Sequence, residues 1–417
     1  MQVLSIVVMM MTIKTFSTAF VPVTQNILSN KAKTLGPKFV PFYYHRQFAR
    51  FMSTDNDNIS SLMTPTEINI SRLSTLQTLL QKVGAPGSSI CNTPNELQPV
   101  SEHNLNLHPH LYPIAKSVSN PDHYICGLRR AYADDALYES STNAPWPIVE
   151  SKVGGLGYNL LSLNSEHMMR RIVSQVDSDR DEDKVESQTA DELIDLYNEN
   201  LGQGSLAEKA MDVVYEKGSV TKLGYGASKY ILLRVGPFPD LYEEMSSQHA
   251  ARNDESSSLI AAEASNGKFT GFGSTFRFYA ELLNSFPNRA DETKDAARVC
   301  VRLPLPSIGM NEEDFIRVSS LAGLINNDDS GEDVSLTDAM SKLEEMYEKI
   351  KTHEEEDEQS RANMTQEQVA IEDANKILDR VVFKSEQDWS SVRKELSEIY
   401  SNAGLDEMAS FVNPNSS

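Results

Sequence analysis

Cysteine is scarce in this chain of 417 residues, and its apolar segments are short. The three cysteines, Cys91, Cys126 and Cys300, lie far apart and form no CxxC pair, which argues against a disulfide framework or a cysteine zinc site. An odd and sparse count is typical of a reducing compartment. No apolar run approaches the ~20 residues that a membrane-spanning helix needs, so we expect no membrane span in the mature protein.

Basic residues are too few to balance the acidic ones. The chain has 38 Lys and Arg against 60 Asp and Glu, a net charge of −22. Proteins that bind the phosphate backbone need a basic surface, so this balance argues against a general nucleic-acid binder. It favours a basic protein partner, or simply solubility in a crowded compartment.

Acidic residues are absent from the first 54 positions, where six basic residues occur. An apolar segment from Val3 to Ile13 has the length of a signal-peptide core, and Ala19 is followed by Phe20 and a basic stretch. This resembles the two-part leader of diatom-type plastid proteins, in which the signal peptide is cleaved before a phenylalanine. We therefore predict that residues 1–54 are a plastid-targeting leader with cleavage between Ala19 and Phe20. A mitochondrial or simple chloroplast presequence is the alternative.

Composition divides the next part of the chain. Residues 55–106 are rich in Ser, Asn, Thr and Pro, which predicts a loosely ordered arm with one short amphipathic helix within Ile68–Val83. Residues 107–188 contain proline-rich turns around short apolar runs, which indicates an irregular or α+β region with short strands. Its charged stretch Asp177–Glu186 is predicted to be an exposed loop, because clustered charges resist burial. Residues 413–417 are predicted to be a disordered tail.

Helical periodicity begins at residue 189 and continues to residue 412. Pro239 opens a candidate helix that runs toward Ala251, since proline is tolerated in a first turn. Small residues between Thr275 and Pro304 favour two closely packed helices. The predicted fold is therefore mainly α, with a helical-hairpin body and a smaller irregular or α+β N-terminal part.

One catalytic pattern is present by spacing alone. Tyr225 and Lys229 match the YxxxK pair of short-chain dehydrogenases. The only candidate for the glycine-rich turn of such an enzyme is Gly154–Gly157, whose spacing and position do not suit a dinucleotide-binding fold. A chance match is the better interpretation, and no catalytic or cofactor-binding residue is predicted.

Two possible metal sites also fail on spacing. Asn326–Gly331 mimics the first half of a calcium loop, but its twelfth position is Thr337, which lacks the bidentate carboxylate that calcium needs. His108 and His110 flank a proline without a third ligand at suitable spacing. A flexible acidic loop and structural histidines are predicted instead, so no metal is expected.

The most distinctive feature is acidic. Residues 311–361 hold sixteen acidic residues against five basic ones, a local charge of −11. They include the run Glu354, Glu355, Glu356, Asp357 and Glu358. Such a run is usually a solvated face or linker, and the sharper alternative is a docking surface for a basic partner. We predict partner contacts at these five residues.

Several short segments between residues 107 and 412 form a recognisable series in colinear order. They are His108-Pro109, Tyr112-Pro113-Ile114, Val235 to Asp240, Phe269 to Gly273, Lys294 to Arg298, Pro304 to Gly309, Gln368 to Ala370, and Ala403-Gly404-Leu405. The series resembles the family of plant chloroplast ATPase-biogenesis proteins. The chain departs from the family at Leu305 and Pro306, where tryptophans are expected, and in an extra acidic insert near 326–333. Partner contacts are also predicted at Phe238 and Phe272, which lie in two of these segments.

The resemblance implies a function. It suggests a non-catalytic plastid stromal assembly factor for the catalytic head of the ATP synthase, which acts on the central γ subunit. A stromal scaffold for another photosynthetic complex fits the same physical features. A dehydrogenase that uses Tyr225 and Lys229 is the third alternative, and it requires a parallel sheet with a nucleotide crevice.

Overall fold

The computed structural model describes residues 70, 72–100, 102–130, 145–182, 184–199, 201, 213–309, 312–325, 341–342, 344–346, 364–383 and 388–414. All of these residues belong to one compact unit, Met63–Ser417. The expected leader cleavage site at Ala19 and Phe20 lies outside the described residues, as do Glu354 to Glu358 and the acidic loop Asn326–Gly331.

Five antiparallel strands form a single sheet in the order in which they occur along the chain. Tyr124 and Cys126 of the central strand point to one side of the sheet, and Ile125 points to the other. Both faces are therefore buried, which explains the short apolar runs in this part of the sequence. The strands are β1 (Leu97–Pro99), β2 (Leu111–Ser117), β3 (His123–Leu128), β4 (Ile148–Lys152) and β5 (Tyr158–Ser162).

Helices make up most of the remaining structure, so the predicted mainly α fold with a smaller α+β N-terminal part is confirmed. In the described residues they are α1 (Leu73–Val83), α2 (Ser165–Asp181), α3 (Ser187–Glu199), α4 (Ser219–Leu223), α5 (Ala227–Arg234), α6 (Pro239–Ala251), α7 (Glu255–Lys268), α8 (Gly273–Ser285), α9 (Ala290–Cys300), α10 (Glu312–Leu321), α11 (Gln366–Phe383), α12 (Arg393–Asn402) and α13 (Asp406–Val412). A short 3-10 helix, Leu305–Ile308, follows α9.

Helix α1 belongs to the core and not to a loosely ordered arm. Leu76, Leu79 and Leu80 are fully buried in the main hydrophobic cluster. Arg72, just before the helix, forms a buried two-pronged ion pair with Glu166 of α2. A buried charge of this kind is tolerated only when it is paired, so the pair fixes the start of α1 against α2. The expectation of a loose arm is thus corrected for residues 72–100.

The charged stretch Asp177–Glu186 is not an exposed loop throughout, because α2 continues to Asp181. The Asp177 carboxylate is fully buried and accepts hydrogen bonds from the Tyr215 hydroxyl at 3.0 Å and the Gly218 amide at 2.9 Å. Arg180 lies 2.9 Å from the same carboxylate. These three partners replace the water that Asp177 loses, which is why the charge can be buried.

Two helical pairs follow the sheet. Helices α6 and α7 pack closely because Ser246 and Ser258 face each other and each hydroxyl donates to the other residue's carbonyl, at 2.9 and 2.8 Å. Helices α8 and α9 pack through residues such as Ala280 and Ala297, at the place where the small residues predicted a hairpin. Small side chains at these contacts allow two helix axes to approach closely.

The last helices are joined to the sheet region by Arg393, which is only 4% exposed. Its guanidinium donates to the carbonyls of Leu105 at 3.0 Å, Leu107 at 2.8 Å and Val412 at 2.7 Å. Trp389 adds a hydrogen bond from its indole nitrogen to the Gly155 carbonyl at 3.1 Å. We call this contact between the sheet region and helices α11–α13 the seam.

Replacing Arg393 with methionine should lower the free energy of unfolding by about 3 kcal/mol, because the buried carbonyls of Leu105, Leu107 and Val412 lose their donor. Urea unfolding followed by circular dichroism measures the loss. Lys394→Met is the control: the Lys394 side chain is 84% exposed. Its change should stay within about 0.5 kcal/mol. Equal losses in the two variants would contradict this role of Arg393.

Candidate functional site

A small cavity lies at the seam. Its volume is about 30 Å³, which is room for about two water molecules. Pockets that bind organic ligands are typically larger than about 300 Å³. This cavity is therefore too small to hold a substrate. Its polar lining comes from His108, His110, Arg130, Tyr158, Asn375 and Tyr400.

The two histidines of the cavity are neutral structural groups. The His110 amide donates to His108 Nδ1 at 3.2 Å, and His110 Nε2 lies 2.9 Å from the Tyr400 hydroxyl. Burial, aided by the charges of Arg393, Arg129 and Arg130, lowers the pKa of His110 to about 3. Burial and the neighbouring His110 likewise hold the pKa of His108 well below its usual value. Neither ring is suited to accept a proton near neutral pH.

The dehydrogenase alternative has no structural support in the part of the chain described above. The sheet of this chain is antiparallel, whereas a dinucleotide-binding fold needs a parallel sheet. Tyr225 stands in an exposed turn, and Lys229 lies on the short helix α5. Gly157 is packed against the backbone of Pro306, where an added Cβ would come within 2.0 Å of the carbonyl oxygen, so this glycine serves close packing.

The cysteines are buried and free, without reactive surroundings. Burial raises the pKa of the Cys91 thiol to about 11 and that of Cys300 to about 12, so neither forms a thiolate near neutral pH.

Within the described ranges, no three His, Cys, Asp or Glu side chains come together as metal ligands. No helix among those same residues combines the length and apolarity that crossing a membrane demands.

Phe238 and Phe272 are buried and are not accessible to a partner. The Arg171 guanidinium lies over the Phe238 ring at 4.6 Å, and Arg130 lies over Phe272 at 4.0 Å. Both rings thus support buried cations inside the fold. The prediction that Phe238 and Phe272 contact a partner is wrong, because both side chains pack inside the fold. Glu354 to Glu358 remain predicted contacts outside the described residues.

An aromatic ring, a lysine and a leucine are exposed on α5 and just before it. We define the α5 face as Tyr225, Lys229 and Leu233, which follow one another at intervals of four residues. Tyr225 is 62% exposed and Leu233 is 65% exposed. Sequence analysis noted Tyr225 and Lys229 only as a YxxxK match, interpreted that match as chance, and did not identify an exposed surface there. The 3.6-residue period of α5 was the signal available for the surface itself.

Comparisons with known proteins match two helical parts of the structure. One family model, described as the PAB middle domain, matches residues 239–325, which contain α6 to α10. A second, the PAB C-terminal domain, matches residues 343–415, which contain α11 to α13. The Arabidopsis thaliana protein named IN CHLOROPLAST ATPASE BIOGENESIS is 30% identical over 269 residues, 64% of this chain and 69% of that protein. No solved structure matches.

The neutral state of His110 makes stability sensitive to acid. Its pKa is about 3 in the folded chain against a usual value of 6.5, so the unfolded chain takes up the proton first. The corresponding stability is present above pH 6.5 and is lost as pH falls toward 3. The loss from this one group should reach about 2 kcal/mol by about pH 5.

His110→Gln should remove this acid sensitivity. The difference in unfolding free energy between the variant and the original chain should shrink by about 2 kcal/mol from about pH 7.5 to about pH 5. Tyr400→Phe, which removes the hydroxyl but keeps the imidazole, should retain most of the acid sensitivity. Urea unfolding over this pH range measures both, and a difference for His110→Gln that is independent of pH would contradict the neutral state.

Proposed function

Because the chain belongs to the family of the Arabidopsis thaliana protein IN CHLOROPLAST ATPASE BIOGENESIS, we propose that it is a plastid factor that assists assembly of the ATP synthase. The observation that carries this proposal is the extent of the match, 269 residues at 30% identity. An assembly factor acts by binding, and the small cavity of the seam is in keeping with a non-catalytic role.

The proposed compartment is the plastid stroma. The acid-free residues 1–54 carry the features of a plastid-targeting leader. Three dispersed cysteines suit a reducing interior. The name of the Arabidopsis relative places that protein in the chloroplast. These independent features support the same address.

The proposed target is the γ subunit, which forms the central shaft of the catalytic head. A shaft of long helices exposes surface that its ring of partners later covers, and exposed apolar surface promotes aggregation before that point. The acidic residues 311–361, with their local charge of −11, supply an electrostatic docking surface for a basic shaft. Such an attraction speeds encounter and is weakened by salt, which allows release.

The test is cross-linking inside plastids with a full chain that carries a C-terminal tag. We expect cross-links to γ, and neutralising Glu354, Glu355, Glu356 and Glu358 to glutamine should reduce them by about tenfold. The matched control neutralises four exposed acidic residues that form no ion pair among the described residues, and it should leave the cross-links unchanged. The control residues are Glu192, Glu199, Asp291 and Asp295.

The outcomes separate the general proposal from the specific one. Cross-links to other head subunits without γ would contradict γ as the target and leave the assembly role standing. The absence of every ATP synthase subunit, relative to an unrelated tagged stromal protein, would contradict the assembly role. Recovery of the tagged chain outside the plastid would contradict the proposed compartment.

A further inference from the structure

One hydrogen bond links the parts of the chain that match the two family models. The carboxylate oxygen Oδ1 of Asp379, near the end of α11, accepts from the backbone amide of Leu305 at 2.9 Å. Asp379 lies within the residues that match the PAB C-terminal domain, and Leu305 lies within those that match the PAB middle domain. Leu305 is the first residue of the 3-10 helix, so its amide has no acceptor inside that helix. We call this hydrogen bond the α11 tether.

The α11 tether joins segments on either side of the acidic part of the sequence. Its two residues are 74 positions apart, and residues 311–361 lie between them. The tether therefore closes a long loop of chain, and closing such a loop costs conformational entropy that contacts must offset. Helix α10, near the start of this loop, is anchored in the main core by Phe315 and Val318. Helix α11, at its end, is anchored partly through the tether.

The 3-10 helix is a fixed neighbour of α11. Pro306 packs so closely against β5 that a Cβ added at Gly157 would lie 2.0 Å from the Pro306 carbonyl oxygen. Ile308 packs equally closely against α8, where a Cβ added at Gly273 would lie 2.4 Å from the Ile308 side chain. The amide of Leu305 thus cannot reach another acceptor unless β5 and α8 move as well.

No cation offsets the charge of Asp379 among the described residues. The neighbouring basic residues on α11 are paired elsewhere: Lys376 lies 2.6 Å from Glu372, and Arg380 lies 3.2 Å from Glu395 of α12. The 3-10 helix contains no charged residue. The ionised carboxyl group of Asp379 therefore has a single amide dipole, and no ion pair, in place of the water that burial removes.

The groups that line the small cavity do not supply that charge either. Leu378, next to Asp379 in the sequence, lines this cavity together with His108 and His110, which are neutral near neutral pH. Arg130 lines it too, without an ion pair to Asp379. Burial, opposed in part by the hydrogen bond of the α11 tether, accordingly raises the pKa of Asp379 to about 7.

We propose that Asp379 makes the hold on α11 depend on pH, so that α11 is held firmly while this carboxyl group is neutral and less firmly once it is ionised. A neutral carboxyl group keeps its carbonyl oxygen as an acceptor for the Leu305 amide, without a buried charge. Ionisation strengthens that hydrogen bond, but the gain is smaller than the cost of the buried charge, as the direction of the pKa shift shows. Helix α11, which follows residues 311–361 in the chain, is therefore held less firmly in mildly alkaline than in mildly acidic conditions. The proposal does not depend on which partner the chain binds.

The direction and size of the effect follow from linkage between protonation and opening. The pKa of Asp379 is about 7 in the folded chain against an ordinary value of 3.8, so the folded chain keeps this proton to a higher pH. The stability that the proton supplies is present in full below pH 3.8 and is lost as pH rises through 7. Between about pH 6 and about pH 8, this group should raise the equilibrium constant for opening of α11–α13 about tenfold. His110 acts in the opposite direction over part of this range, so the effect is measured against a variant.

Asp379→Asn tests the proposal, because its amide oxygen still accepts from Leu305 but the side chain cannot be ionised. Native-state hydrogen exchange of α12 amides gives the opening constants of the original and variant full chains from about pH 6 to about pH 8. The ratio of the original constant to the variant constant should rise about tenfold over this range. Asp373→Asn is the matched control on the same helix: the Asp373 side chain is 38% exposed, and the corresponding ratio should not change with pH.

The unsubstituted chain supplies a second measurement, which decides the question if Asp379→Asn does not fold. The carboxyl carbon NMR signal of Asp379 should titrate with a midpoint near 7. A midpoint near the ordinary value of 3.8 would overturn the proposal. So would a ratio of opening constants that is independent of pH for Asp379→Asn, or an equal rise for Asp373→Asn. None of these results bears on the proposed ATP synthase role.

Discussion

Arg393 carries a buried positive charge that is held by main-chain carbonyls. Among the described residues, no carboxylate lies within ion-pair distance of it, and burial lowers the pKa of its guanidinium to about 10, so it remains charged near neutral pH. Two of the carbonyls belong to Leu105 and Leu107, which precede Arg393 by 288 and 286 positions, and the third belongs to Val412, which follows it by 19. A buried cation is tolerated only while these acceptors stay in place, so the last helices and the sheet region depend on one another.

The same constraint leaves little space at the seam. Charged and aromatic residues pack together around the seam, and the cavity that remains there has room for about two water molecules. The motifs that suggested chemistry are likewise absorbed by packing or exposed in a turn, as Gly157 and Tyr225 show. The side chains that the structure describes around the seam therefore serve packing.

Sequence patterns predicted those elements whose local signals agree with the fold. Pro239 marks the first residue of α6, and the leucines of α1 are spaced for one buried face. Helix α7 lies in the predicted helical part of the chain but has no distinct signal of its own, because four of its five buried residues are alanine or serine and only Leu259 is a large apolar side chain. The burial of Asp177, Phe238 and Phe272 could not be predicted from the sequence either. Each depends on a partner distant in sequence, and only the folded chain brings that partner near.

Native-state hydrogen exchange tests most directly whether the sheet region and helices α11–α13 depend on one another. Amides of α12, within the residues that match the PAB C-terminal domain, and amides of β3 are compared as denaturant is raised below the unfolding transition. If the seam makes one cooperative unit, the most protected amides of both elements should exchange through the same global opening, with the same free energy and denaturant dependence. Exchange of α12 at a free energy several kcal/mol below that of β3 would contradict this account, because the last helices would then detach on their own.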